Sequence, residues 1–107
     1  KVITMTLPGQ VSGSELRTVG TDLKNRLSDQ AGVVVLVAND GNKVPFLAAA
    51  TPKAIERGVK AGQLVGLVGQ YCEGRGGGKP DMAQGSGTNI DGAPEAFAAV
   101  ADELKKL

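Results

Sequence analysis

The chain has 107 residues and a formal net charge of +1, with hydrophobic residues at 41% of its positions but aromatic residues at only 3%. This length supports one hydrophobic core and leaves no room for a second domain beside it, so residues 1–107 are predicted to form a single domain with a core of Val, Leu, Ile and Ala. Because the sequence contains no histidine and a single cysteine, it excludes most zinc sites, any Cys-His nucleophile pair and an internal disulfide bond.

The first predicted elements are a strand and an amphipathic helix. Residues 2–7 are rich in β-branched side chains and precede a Pro-Gly turn, which predicts a strand. Ser12 lies three residues before Glu15, the spacing of a capping box, so a helix should begin there and continue to about Gln30, with Gly32 placed to end it. The apolar residues that follow at helical spacing are Leu16, Val19, Leu23 and Leu27.

A buried hairpin and a short helical turn are predicted next. Residues 33–38 are apolar without alternation, which indicates a strand buried on both faces. The turn at 40–42 joins it to a second strand over 43–50, in which Pro45 cannot donate to a ladder, so that end should be irregular or face outward. Thr51-Pro52 resembles a helix N-cap followed by a first-turn proline.

The last part of the chain predicts two helices, a glycine-rich loop and a strand. A helix should begin near Lys60, a loop should occupy 74–80, a strand should follow over 81–87, and a third helix should begin near Asp91. The apolar stripe of the helix after Lys60 comprises Ala61, Leu64, Val65, Val68 and Cys72. The predicted fold is therefore α/β (α+β), one small domain of order β-α-β-β-α-β-α with a four- to five-stranded sheet packed with helices.

Basic residues are concentrated in the middle of the chain. Residues 41–80 carry six Lys and Arg against two Glu, whereas 1–40 balance and 81–107 carry two Lys against five acidic residues. This asymmetry has the sign expected for a polyanionic partner, but many solvated surfaces carry as much charge.

The sequence also bears on the cellular compartment. The longest apolar runs are far shorter than a membrane span, and no secretory pattern follows Lys1. Together with the cysteine usage, this predicts a cytoplasmic protein that does not enter a membrane. The start at Lys1 rather than at Met suggests a piece of a longer protein, although processing gives the same start.

The glycine-rich segment 74–80 is the sharpest change of composition. It places three consecutive glycines between Arg75 and Lys79. Glycines allow backbone N–H groups to converge on an anion, or allow a base or sugar to approach the main chain. The segment is neither a Walker loop nor a dinucleotide fingerprint, because its glycines follow a helix and no Gly-Lys-Ser/Thr is present. Composition alone favours a flexible or helix-terminating loop.

A resemblance changes this interpretation. The run Gly74–Gly85 resembles the signature Gly-Gly-Gly-Arg-Pro-Asp-Met-Ala-Gln of the C-terminal domain of bacterial alanyl-tRNA synthetases, in the DHHA1 group. Residues 57–65 resemble the Lys-Ala-Gly-x-Leu-Val segment before that loop in the same family. The order of elements agrees over the whole chain, but only residues 57–85 carry motifs. Lys79 stands where the family usually has Arg, which keeps the charge and loses the bidentate fork.

The resemblance implies a non-catalytic domain that docks on the outer corner of tRNA while the acceptor end visits catalytic sites elsewhere on the parent protein. The residues that it assigns to tRNA are Lys60, Arg75, Gly76, Gly77, Gly78, Lys79, Asp81 and Gln84. Among them the glycines would permit close approach, the cations would meet phosphates, and the last two would bond sugar or base groups. Asp81 is equally suited to hold Lys79 or the loop backbone. No catalytic residue, metal ligand or cofactor is expected in this chain, since ATP and zinc belong to other domains of such a parent.

Two other hypotheses stay open. The chain could be the substrate-holding lobe of a DHH-type phosphoesterase, whose corresponding loop resembles Gly-Gly-Gly-His where Lys79 stands here. It could also be a dimerisation module, because some family members form homodimers through this domain and the helix over 60–73 is apolar and rich in glycine. For Cys72 the sequence favours a buried position over a reactive thiol, and for Tyr71 it favours a partly buried helix end over stacking on a base.

Overall fold

The computed structural model describes residues 2–105. Over these residues the chain forms β1 (Val2–Gln10), α1 (Gly13–Arg26), β2 (Val33–Asn39), β3 (Val44–Ala50), α2 (Pro52–Glu56), α3 (Ala61–Tyr71), β4 (Arg75–Gly78), β5 (Met82–Gly87), a 3-10 turn (Ile90–Gly92) and α4 (Ala93–Lys105). None of the helices in this range is long and apolar enough to cross a membrane.

The strands form one mixed sheet in the order β1-β2-β3-β5-β4. The pair β1–β2 is parallel, and every other neighbouring pair is antiparallel. The predicted fold class is confirmed. β2 lies inside the sheet, as its uniform apolar sequence indicated, and its predicted hairpin partner β3 is the middle strand. The edges of the sheet are β1 and β4.

Helices cover both faces of the sheet, so the domain has two apolar layers. On one face Leu16 of α1 packs with Leu36 and Leu47 of the central strands. On the other face α3 and α4 pack against alternate residues of the same strands, including Val35 and Phe46. Successive residues of a strand point to opposite faces, and both faces of β2 are covered. This explains why β2 shows no apolar–polar alternation.

The predicted helix caps are present. The backbone N–H of Glu15 donates to the Ser12 hydroxyl at 3.2 Å, and the N–H of Ser12 donates to the Glu15 carboxylate at 3.4 Å. The helix ends at Arg26 rather than near Gln30. After it, the N–H groups of Leu27, Ser28 and Gln30 bond carbonyls three residues back instead of four, which tightens the chain into a turn before β2.

Pro45 lies at the end of β3 where its missing N–H costs the β2–β3 ladder nothing. The pairing of β2 with β3 runs from Val33 opposite Ala50 to Val37 opposite Phe46 and stops there. Pro45 therefore has no partner in β2, but it lies within β3, is buried and pairs with Ser86 of β5. The prediction that this end is irregular or faces outward is wrong, because the ladder with β5 continues past Pro45 to Val44.

The glycine-rich segment differs from the prediction. Residues 75–78 form the edge strand β4 rather than a loop, and only the turn after them is irregular. A Cβ atom at Gly76 would lie 2.5 Å from Cγ1 of Val65 in α3 and 2.7 Å from the carbonyl oxygen of Gln84 in β5. The glycines thus let the strand fit between a helix and its neighbouring strand. The sequence did not indicate this strand, because glycine is depleted in strands generally.

The end of α3 offers a stability test. The N–H of Gly74 donates to the carbonyl of Gly69 at 2.8 Å, and Glu73 between them has φ of 55°, the left-handed position that usually carries glycine. We expect Glu73→Gly to raise the free energy of unfolding by about 1 kcal/mol, because a side chain is strained in this conformation. Urea denaturation would measure the change. Glu73→Gln keeps the strained backbone, so an equal gain with that variant would contradict this explanation.

Candidate nucleic-acid interface

A groove of about 430 Å³ separates α1 from the hairpin formed by β4 and β5. One wall comes from α1 and the other from the strands and their turn. The lining residues are Arg17, Thr21, Lys24, Gly77, Gly78, Lys79, Asp81, Met82, Ala83 and Gln84. Three of these are cations and one is a carboxylate, so the groove suits an anionic ligand.

Gln84 joins the two walls. Its side-chain Nε2 donates to the carbonyl of Gly13 at 2.9 Å, and its Oε1 accepts from Nη1 of Arg17 at 3.3 Å. Both ends of the amide are therefore engaged inside the protein, and the guanidinium of Arg17 is held at the rim of the groove. The predicted contact of Gln84 with a base or sugar stays a prediction, and the structure adds a positioning role.

Asp81 forms an ion pair with Lys24 across the groove. The distance from Lys24 Nζ to Asp81 Oδ2 is 3.3 Å, and the lysine side chain is the less exposed of the two. Partial desolvation favours the neutral acid, but the hydrogen bond and charge of Lys24 outweigh it, so the pKa of the Asp81 carboxyl lies below its ordinary value. The partner is thus a residue of α1, whereas sequence reasoning considered Lys79 and the loop backbone.

Lys79 lies in the turn between β4 and β5. Its N–H donates to the carbonyl of Met82 at 3.0 Å, which fixes the backbone, while its side chain is exposed. The N–H of Ala61 donates to the carbonyl of Pro80 at 2.9 Å, so the first turn of α3 abuts this turn. Lys60, the exposed N-cap residue of α3, accordingly lies beside the turn but does not line the groove.

Packing requires glycine at two of the three glycine positions of β4 but not at the third. Packing requires Gly76, as described, and Gly78, where a Cβ atom would lie 2.8 Å from Cα of Ala83 and from the carbonyl oxygen of Met82. A Cβ atom at Gly77 would meet nothing within 4 Å. Gly77 is opposite Gln84 in the ladder and therefore faces the α1 side of the sheet. The fold does not require glycine at this position. Because Gly77 has no side chain, the groove floor is open there.

Arg75 does not line the groove. It lies at the far end of β4, opposite Ser86, where it lines a second hollow with Lys43 and Thr88. The structure therefore brings together Gly77, Gly78, Lys79, Asp81 and Gln84 of the predicted site, and it separates Arg75 from them.

Sequence reasoning missed the contribution of α1. No residue of this helix was among the predicted site residues, yet Arg17, Thr21 and Lys24 line the groove. Their spacing of four and three residues places them on one helical face, which the sequence does show. That this face meets the β4–β5 hairpin depends on the order of strands in the sheet.

Several candidate residues have structural roles. Cys72 is fully buried, and burial raises the pKa of its thiol, which confirms the predicted core position. Tyr71 is partly exposed at the end of α3. The apolar stripe of α3 is buried against the sheet, so it does not form a free surface for a second subunit. Among residues 2–105, no three His, Cys, Asp or Glu side chains group closely enough to hold a metal ion.

The fold and the groove define a small α+β domain with an open mixed sheet and a basic cleft at one end of it. The model of the DHHA1 domain family matches residues 1–106, and the chain therefore belongs to that family. This confirms the family recognised from the residues between 57 and 85.

The relatives agree with this assignment. The chain is 52% identical over 99 residues to an alanine–tRNA ligase of Corynebacterium efficiens, covering 91% of the chain and 11% of that protein. It is 46% identical over 100 residues to an alanine–tRNA ligase of Nocardia farcinica, covering 94% of the chain and 11% of that protein. The chain thus spans about a ninth of the length of these relatives.

A solved structure shows the same fold. The C-Ala domain of alanyl-tRNA synthetase from Aquifex aeolicus superimposes with a TM-score of 0.85 at 29% sequence identity, over 96% of this chain and 89% of that one. The five-stranded mixed sheet and its helices therefore match the C-Ala fold.

Proposed function

We propose that this chain is a tRNA-binding domain of an alanine–tRNA ligase. In this proposal it holds the outer corner of tRNA and so links aminoacylation with editing, while both reactions take place on other domains, which bind ATP and zinc. The observation that carries the proposal is the basic groove between α1 and the β4–β5 hairpin. The similarity to alanine–tRNA ligases over most of the chain supports it. The cytoplasm is the corresponding compartment.

The groove is suited to a phosphate backbone rather than to one base sequence. Lys79 is exposed and can contact a phosphate directly, and Arg17 already points a guanidinium at the rim. Lys24 can exchange its ion pair with Asp81 for a contact with a phosphate oxygen. Contacts of this kind position a nucleic acid and carry little sequence information, which suits a corner that all tRNA molecules share.

Titration with tRNA tests the proposal. We expect the chain to bind tRNA with an affinity that falls steeply as the salt concentration rises, because each phosphate contact releases counterions. Filter binding or fluorescence anisotropy at several salt concentrations would measure the slope of log K against log salt. Binding too weak to detect at low salt would refute the proposal, and so would binding that does not depend on salt.

Gly77 provides a sharper test, because the fold tolerates a side chain there. We expect Gly77→Ala to leave the free energy of unfolding unchanged or to raise it by about 0.5 kcal/mol. The same variant should weaken tRNA binding by about tenfold, since a methyl group on the groove floor would obstruct a closely bound backbone. Urea denaturation and tRNA titration of the same preparation would separate the two effects.

Gly66→Ala is the matched control. This glycine lies in the middle of α3 and is exposed, and a Cβ atom added to it would meet nothing within 4 Å. The substitution should stabilise the helix by a similar amount or more and leave tRNA binding unchanged. If both variants bind tRNA like the wild type, the groove floor does not contact the ligand.

A further inference from the structure

The α1-facing side of the β4–β5 hairpin continues beyond the groove. Gln84 points to this side, because its side chain bonds Gly13 and Arg17 of the α1 segment. Ser86 is two residues further along β5 and therefore shares the side of Gln84. Arg75 is opposite Ser86 and Gly77 is opposite Gln84, so Arg75 and Gly77 share it as well.

Two basic sites thus lie along the α1-facing side of the hairpin, one at Arg75 and one at Lys79. The surface between them carries no side chain at Gly77. Arg75 is the first residue of β4, and Lys79 lies in the turn directly after its last residue. Gly77 lies midway and leaves the surface open. Next to Arg75 is the second hollow, of about 440 Å³, which is lined by Lys43, Glu73, Gly74, Arg75, Ser86, Gly87 and Thr88.

The carboxylates near the second hollow are Asp40 and Glu73. The carboxylate of Asp40 accepts the backbone N–H groups of Lys43 at 2.6 Å and of Asn42 at 2.8 Å, and these bonds hold its pKa below the ordinary value. Asp40 is therefore occupied in shaping the β2–β3 turn. Glu73 lines the hollow directly and is the acidic group that opposes an anion there.

We propose that the hollow with Lys43, Arg75 and Ser86 is a second phosphate subsite, and that one RNA strand crosses it and the groove together. This inference rests on the proposed function and extends it. The two cations and the Ser86 hydroxyl supply donors for phosphate oxygens.

Lys43→Ala tests the subsite without touching the groove. We expect this variant to weaken tRNA binding several-fold at low salt. The negative slope of log K against log salt should become shallower by about one. Lys79→Ala should have a similar effect on the slope. In the double variant the two losses of binding free energy should add, so the two fold-changes in affinity should multiply, because the positions are far enough apart to act independently.

Two further variants keep the result interpretable. Lys105→Ala removes the same charge from α4, on the opposite face of the sheet, and should leave the slope unchanged. Glu73→Gln removes the opposing carboxylate without changing the shape of the side chain and should tighten binding several-fold. Thermal denaturation would verify that each variant is folded.

The outcomes distinguish the two proposals. If Lys43→Ala and Glu73→Gln bind tRNA like the wild type while Lys79→Ala is impaired, the second subsite is refuted and the groove remains. If Lys43→Ala and Lys105→Ala weaken binding equally, total charge explains the effect and the subsite is again refuted. If the wild-type chain does not bind tRNA at all, the proposed function itself fails.

Discussion

Replacement of Arg17, Lys24 and Lys79 together by alanine is expected to weaken tRNA binding by about 100-fold at low ionic strength. A hydrogen bond to a charged group contributes about 1.5 kcal/mol or more, roughly a tenfold change in affinity for each cation. Arg17 and Lys24 contribute less than this, because each must give up or share a partner within the protein, Gln84 and Asp81 respectively. The negative slope of log K against log salt should become shallower by about three.

A matched triple variant distinguishes the groove from total charge. Lys53, Arg57 and Lys105 are exposed cations that do not line the groove, and their replacement by alanine changes the net charge by the same amount. We expect this control to bind tRNA within a few-fold of the wild type. If the two triple variants are equally impaired, the affinity comes from overall charge and the groove has no special role. Circular dichroism would confirm that both retain the fold.

Thr51→Val should reduce the free energy of unfolding by about 3 kcal/mol. The Thr51 hydroxyl is fully buried and accepts the N–H of Gly32 at 2.9 Å and that of Ala54 at 3.4 Å. It also donates to the carbonyl of Gln30 at 2.7 Å. Valine fills the same space but leaves three backbone groups without this partner, and an unmatched buried group costs about 1 kcal/mol or more.

Thr51→Ser serves as the control, because it keeps the hydroxyl and loses one methyl group. Its cost should stay near about 1 kcal/mol. Urea denaturation followed by circular dichroism would measure both variants. Equal stability of Thr51→Val and the wild type would mean that the Thr51 hydroxyl does not hold the end of β3 to the segment before β2. Thr51 does not line the groove, and folded Thr51→Ser should bind tRNA normally.

Local sequence patterns predicted most of the elements. The Ser12–Glu15 capping box and the Thr51 N-cap are present because caps depend on hydrogen bonds between residues close together in the chain. The apolar run before Ala38 predicted a central strand, because only a strand covered on both faces tolerates such a run. The end of α1 was misplaced by four residues, since no strong stop signal follows Arg26.

The glycine segment shows where local patterns fail. Its composition favoured a loop, whereas residues 75–78 pair with β5 at the sheet edge. A strand of this kind depends on long-range contacts with Val65 and Gln84, which no local pattern reports. The same contacts separate the three glycines into two that packing requires and one, Gly77, that it does not.

The sequence by itself determined the family, the fold class and the candidate residues of the hairpin, because the motif between residues 74 and 85 is contiguous and caps and strands follow from local chemistry. Only the tertiary structure brought Arg17 and Lys24 of α1 opposite Lys79. It also showed that Gln84 and Asp81 bond residues of α1, and that Arg75 lines the second hollow and not the groove. The physical reason is that a groove forms between segments more than 50 residues apart. Their meeting is fixed by strand order and register, which depend on the burial of two apolar layers rather than on any one segment.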